Sequence, residues 1–308
     1  MITYYFRTVK DEKLQTFLEP RPGVWVHTVD PTDADMATLV SQFALDPSIL
    51  HDAKDFFEVP RFERSGAVAY FFTRYPYEED DGKEIDTAPV MIAVGESFVV
   101  TIVLRDAPFL ADFLSGTKNI FTTQKTKLFL ELMSSLLDSY SRELLKMNRE
   151  VNKNKTKLRT IRTRTIEQLV WYENALNDMI SALVPTNAWL SQVLTGNHLQ
   201  LFKEDMALGE DLTITNNQLV DSAKTLLKTI QNIRSAYESL LTGSLNNTIR
   251  MLAALTIVLT IPTTIASLFG MNVKIPLADY PHAFWFVVVL IATSMTLVVL
   301  YFMRNKWL

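Results

Sequence analysis

Hydrophobic and polar positions follow three patterns along this chain, and each predicts a different kind of element. In the first third, β-branched and aromatic residues come in short runs. Residues 2–9, 23–29, 59–62, 67–75, 85–94 and 97–104 read as strands, with Pro20, Pro22, Gly23, Asp81-Gly82 and Gly95-Glu96 supplying turns. Asp30-Pro31-Thr32 reads as a helix start, followed by an amphipathic run through Leu39, Phe43 and Leu45. The strand signals stop near Arg105, so residues 1–120 are expected to form an α/β domain.

From about Thr122 the period changes to that of long helices. Leu128, Leu132, Leu136, Tyr140, Leu144 and Met147 share one helical face, and no Gly or Pro intervenes before Pro185. A helical hairpin is expected over 121–200, turning near 157–163. Its second arm carries Ile166, Leu169, Tyr172, Leu176, Met179 and Leu183, kinked at Pro185, and Gly196-Asn197 breaks the pattern. After Gly209 a third helix runs through Leu212, Leu219, Ala223, Leu226, Ile230, Ile233 and Tyr237. It forms a stalk over 201–250 that continues without a break into an apolar run beginning at Met251.

The third pattern is uniform apolarity. Residues 251–273 contain no ionisable side chain, enough to cross a bilayer core of roughly 30 Å at about 1.5 Å per helical residue. A second uncharged run covers 283–303. The expectation is two transmembrane helices, 251–272 and 283–303, joined by an outer loop at 273–282 and ended by a short tail at 304–308. Arg250, Arg304 and Lys306 flank the spans, whereas the loop carries only Lys274, Asp279 and His282. Basic flanks belong in the cytoplasm, which places both termini there and the chain in the plasma or inner membrane.

Composition narrows the chemistry. Of 308 residues none is cysteine, which removes disulfides, thiolate zinc sites and cysteine nucleophiles. A net charge of -4 gives no argument for nucleic acid. The N-terminus lacks a signal-peptide pattern, so the large domain is read as cytoplasmic. His27, His51, His198 and His282 stand alone, without ligand spacing, and no phosphate-cradling glycine loop exists. No catalytic constellation and no organic cofactor are expected. The basic run from Lys146 to Arg164 faces a single Glu150 and lacks interleaved aromatics. It reads as a solvated helix tip, or as a surface turned toward anionic lipid.

The first apolar run has a second feature. At 100° per residue, Asn246, Ile249, Ala253, Thr256, Thr260, Thr263 and Ser267 fall within about a quarter turn of one another. Hydroxyls in membrane helices often bond back to their own i-4 carbonyls without further role. Aligned with an asparagine amide, they instead suggest a pathway for hydrated hard cations, because they offer uncharged oxygens. One stripe cannot enclose a pore, so the reading requires several copies around an axis. Pro262 frees a backbone carbonyl within the same span, either as a kink or as a further oxygen.

Gly270-Met271-Asn272 follows this helix, with Pro262 eight residues before it, then a short loop, a second span and a basic end in Lys306-Trp307-Leu308. In these features the chain resembles the CorA family of divalent cation channels. The likeness is close in the spans, agrees in pattern along the long helices, including Ala182-Leu183-Val184-Pro185, and is loose in the N-terminal domain. It implies a homopentamer in the lipid bilayer, an α/β cytoplasmic domain, a funnel of long helices and import of Mg2+, with Co2+ or Ni2+ as further cargo. It also implies that Gly270, Met271 and Asn272 form the outer mouth, with Asn272 selecting the ion. Below them Asn246, Leu252, Thr260, Thr263 and Ser267 would face the pore, Leu252 as a hydrophobic constriction slightly to one side of the stripe. It further implies a regulatory Mg2+ between neighbouring subunits, for which Asp52 and Asp211 stand at matching positions. The sequence departs from the family in the loop after Asn272, where Val273-Lys274-Ile275-Pro276 replaces the glutamates of many members and leaves Asp279 as the loop's acidic residue. Two rivals remain: a zinc transporter of the ZntB-like branch, and a membrane-anchored coiled-coil scaffold that needs no aligned hydroxyls.

Overall fold

The computed structural model describes residues 2–79, 84–155, 163–195, 199, 201–272, 281–305 and 307. The expected hairpin turn near 157–163, the Gly196-Asn197 break, the turn at 80–83, the residues after Asn272 up to 280, and Lys306 lie wholly or largely outside them. The chain divides into two compact units, Met1–Ile233 and Arg234–Leu308.

The first unit contains a seven-stranded sheet: β1 (Ile2–Phe6), β2 (Gln15–Phe17), β3 (Val24–Val29), β4 (Arg61–Ser65), β5 (Val68–Glu79), β6 (Glu84–Val94) and β7 (Phe98–Val103). Their order is β2-β1-β3-β7-β6-β5-β4. β3 and β7 pair in parallel, Trp25 opposite Val99, and the other neighbours are antiparallel. Between β3 and β4 lie α1 (Asp33–Phe43) and α2 (Pro47–Asp52), and after β7 comes a 3-10 turn (Pro108–Leu110) leading into α3 (Ala111–Leu114). α1 starts where the sequence places it. Thr32 caps it, accepting from the Asp35 N–H while the Asp35 carboxylate accepts from the Thr32 backbone, and each bond satisfies an otherwise orphaned donor.

Strand side chains alternate between two cores. Tyr70, Phe72, Met91, Ala93, Val100 and Ile102 point to the face covered by Leu39 and Phe43 of α1 and Ile49 and Leu50 of α2. Trp25, Phe71, Tyr75, Ile92 and Val99 point to the other face. There they meet α4 (Lys125–Lys155), α5 (Thr163–Thr195) and the first part of α6 (Lys203–Phe269), through Phe129, Leu136, Tyr140, Leu176, Trp189 and Leu226. Both faces are thus buried, which explains runs as apolar as Phe98–Val103 in a largely antiparallel sheet.

Two sequence expectations change. β2, α2 and α3 are too short to show a period and were not foreseen. α6 begins at Lys203, so Gly209 lies inside it instead of preceding it. A Cβ at Gly209 would sit 2.2 Å from Leu194 Cδ2, so this glycine marks a close approach of α5 and α6 and not a break. α5 is helical on both sides of Pro185. Near that proline the Asn216 amide of α6 donates to the Leu183 carbonyl at 2.9 Å, and Thr186 Oγ1 donates to the Ala182 carbonyl at 2.8 Å.

In the second unit, the end of α6 and α7 (Ala283–Arg304) are long and apolar enough to cross a membrane, by length and composition. They meet through Ala254 and Val258 of α6 and Phe302 of α7, with Met295, Val298 and Val299 packed around them.

Candidate ion pathway

α6 runs from Lys203 to Phe269 and stays helical through Pro262, the residue within it that withholds a backbone donor. Along its last part, Asn246, Ile249, Leu252, Thr256, Thr260, Thr263 and Ser267 are all exposed, and Ala253 is half-buried. The residues that pack on α7, Ala254 and Val258, and the half-buried Ile261 and Ile265, lie roughly 150° round the helix from the centre of that stripe at 100° per residue. α7 therefore covers the back of α6. The polar front is left open among the described residues.

The hydroxyls have a defined polarity. Thr256 Oγ1 donates to the Leu252 carbonyl at 2.9 Å, Thr260 Oγ1 to Thr256 at 2.8 Å and Thr263 Oγ1 to Leu259 at 3.0 Å. Thr264, near the edge of the stripe, does the same toward Thr260 at 2.9 Å. Back-bonding is therefore present, as it often is in apolar helices. It also has a chemical effect, since a hydroxyl whose proton is engaged by the backbone turns only lone pairs outward. Water around a cation points its hydrogens away from the ion, so a wall of acceptors suits a hydrated cation.

At the end of α6, the Gly270 N–H donates to the carbonyls of Ala266 at 2.9 Å and Ser267 at 3.2 Å, closing the last turn. Met271 and Asn272 follow, both exposed.

The two carboxylates of the expected regulatory pair stand on different elements. Asp52 ends α2, and its Oδ2 takes an ion pair from Arg61 Nη2 at 2.7 Å. The same guanidinium also binds Glu58 and Glu63 and lies over the Phe72 ring. Burial pulls the Arg61 pKa down, but Glu63, Glu58 and Asp52 outweigh it and hold the group more firmly charged than usual. Spacing alone could not reveal this grip, because the loop between α2 and β4 brings the partners together. Asp211 is exposed near the start of α6. Among the described residues no group of three acidic or histidine side chains in one chain could hold a metal. Lys153 of the basic run pairs with Glu150 one turn away at 2.5 Å, and Lys146 pairs with Glu78. His27 is buried beside Thr101, with Nδ1 2.9 Å from its Oγ1.

A mixed α/β unit that passes by one helix into a pair of apolar helices, the first with a one-sided row of acceptors, defines a two-span membrane protein. Across residues 22–304 the chain matches the family described as CorA-like Mg2+ transporter protein, and it belongs to that family of divalent cation transporters. Members of the family are transporters, not enzymes, which leaves the scaffold reading without support. The cobalt/magnesium transport protein CorA of Methanocaldococcus jannaschii is 24% identical over 92% of this chain and 91% of its own. The complete structure of the CorA magnesium transporter from the same organism superposes with a TM-score of 0.89 at 21% identity, covering 100% of this chain and 99% of that one. The ZntB cytoplasmic domain from Vibrio parahaemolyticus covers 78% of this chain with a TM-score of 0.64 at 8% identity, a likeness of fold alone.

Proposed function

We propose that this chain forms a homopentameric channel that imports divalent cations, chiefly Mg2+, down their electrochemical gradient, with Co2+ and Ni2+ as further cargo. The observation that carries the reading is the placement of the stripe. Thr256, Thr260 and Thr263 stand on the face of α6 turned away from α7, a polar row that would meet lipid unless other copies covered it. Copies of one chain arranged around an axis would cover it and enclose the path. The resemblance implies five copies, with Gly270, Met271 and Asn272 at the outer mouth and Asn246, Ile249, Leu252 and Ser267 completing the wall. Basic residues at Arg250 and Arg304 support cytoplasmic termini.

Regulation belongs to the same reading. Asp52 of one subunit and Asp211 of the next repel each other until a cation lies between them, so cytosolic Mg2+ bound there would link subunits and favour the closed pore. Asp52 is suited to such a role. Its side chain is still 43% exposed, and Arg61 holds it in place.

Uptake of Mg2+, Co2+, Ni2+ and Zn2+ into proteoliposomes, singly and in competition, tests the proposal. Mg2+ flux blocked by excess Co2+ or Ni2+ is the expected result. Zn2+ flux without Mg2+ flux would transfer the chain to a ZntB-like role.

A further inference from the structure

The last described residue, Trp307, folds back on the helix it follows. Its backbone N–H donates to the Phe302 carbonyl at 2.9 Å, and its ring stacks on the Phe302 ring with centroids 5.5 Å apart and planes 14° from parallel. Phe302 is only 6% exposed in a pair of helices whose other large side chains are mostly open, because it packs with Ala254 and Val258 of α6. Ala254 is fully buried, and its small side chain leaves a seat for the ring.

The position of that seat matters. Ala254 lies two residues from both Leu252 and Thr256, about 200° round the helix from each. Phe302 therefore presses on the back of α6 at the level where Leu252 and Thr256 form its front. A rotation of α6 by about 100° would bring the next residue in sequence to that front. Thr256 has apolar neighbours, Leu255 and Ile257, so even a partial turn would exchange its acceptor for hydrocarbon.

We propose that Trp307 is a positioning residue for the ion pathway: stacked on Phe302, it seats that ring against Ala254 and so fixes the rotation of α6 about its own axis. The inference rests on the reading of α6 as pore wall. A tryptophan suits the task because its large ring prefers the membrane boundary, where one edge is apolar and the other wet, and so stays near the end of the helix.

The absence of cysteine permits a direct test on the full chain. Reporters Thr256→Cys and Ile257→Cys, each the only thiol present, are introduced separately and modified with a charged methanethiosulfonate reagent in proteoliposomes that also report Mg2+ uptake. With Trp307 in place, the reporter at 256 reacts faster than that at 257. Trp307→Ala lowers the ratio of the two rates by about fivefold, the effect of losing an aromatic pair of ~1 kcal/mol at 1.4 kcal/mol per tenfold. Trp307→Phe preserves the ratio. A merely structural role would lower assembly or both rates together and leave the ratio alone. Should Trp307→Ala fail to assemble, Ala254→Leu, which fills the seat from the other side, is expected to lower the ratio in the same way. An unchanged ratio in an assembled Trp307→Ala or Ala254→Leu channel overturns the positioning role. If the reporter at 256 is unreactive in a protein that still moves Mg2+ with Trp307 present, the pore-wall reading fails first.

Discussion

His27 and Gly23 show how single residues carry structure that the functional reading does not use. Burial pushes the His27 pKa down from 6.5 to about 4, only partly offset by the Asp106 carboxylate. The unfolded chain therefore binds a proton that the folded chain refuses. Stability from this residue is fully present above pH 6.5 and is lost as pH falls toward about 4, by up to about 3 kcal/mol. Unfolding of the detergent-solubilised protein followed across that window should show the slope, and His27→Gln should flatten it. Gly23 enters β3 at φ +87, where a Cβ would lie 2.8 Å from Thr123 Cγ2. Gly23→Ala combines left-handed strain with that clash and is expected to cost about 1–3 kcal/mol, read as a lower melting temperature. Neither change is expected to alter which metal is transported.

The element that carries the proposed function is α6. Its stripe was legible because the helical period alone sets which residues share a face, and its hydroxyls stand out against an apolar background. Which way that face points was not legible. It depends on Ala254 and Val258 finding Phe302, and alanine and valine in an apolar span look like any other residues. The glycine of the stalk misled for a related reason, because Gly209 lies inside α6 in contact with Leu194 and does not precede the helix. If the threonines supply acceptors to a hydrated cation, combined Thr256→Val, Thr260→Val and Thr263→Val should reduce Mg2+ flux at least about tenfold, each valine removing an oxygen of similar size and shape. The matching serine changes should retain most of it. Equal flux in the valine and wild-type proteins, assembled alike, would remove the stripe from the pathway.

The whole molecule joins two units through one helix, and regulation belongs at this scale. Asp211 and the stripe are carried on the same α6, so a cation bound near Asp211, as proposed, would act on the element that would line the pore. Added Mg2+ is expected to protect the soluble part of the wild-type assembly from protease, and Asp211→Ala should weaken that protection several-fold without lowering basal uptake at low internal Mg2+. Unchanged protection would detach Asp211 from the regulatory site. Asp52→Ala is less diagnostic, because it also removes a partner of Arg61.

The order of residues along the chain was enough to locate most strands and the long helices, to mark two segments able to span a membrane, and to put a polar face on one of them. It also carried the family resemblance, through Gly270-Met271-Asn272. These features depend on periodicity, length and local motif, which need no partner to be read. Folding in three dimensions was needed to bury both faces of the sheet, to gather Asp52, Glu58 and Glu63 around Arg61, and to set α7 on the back of α6. Each of those depends on residues far apart in sequence, or across a loop, meeting at one place. No period along the chain encodes such a meeting.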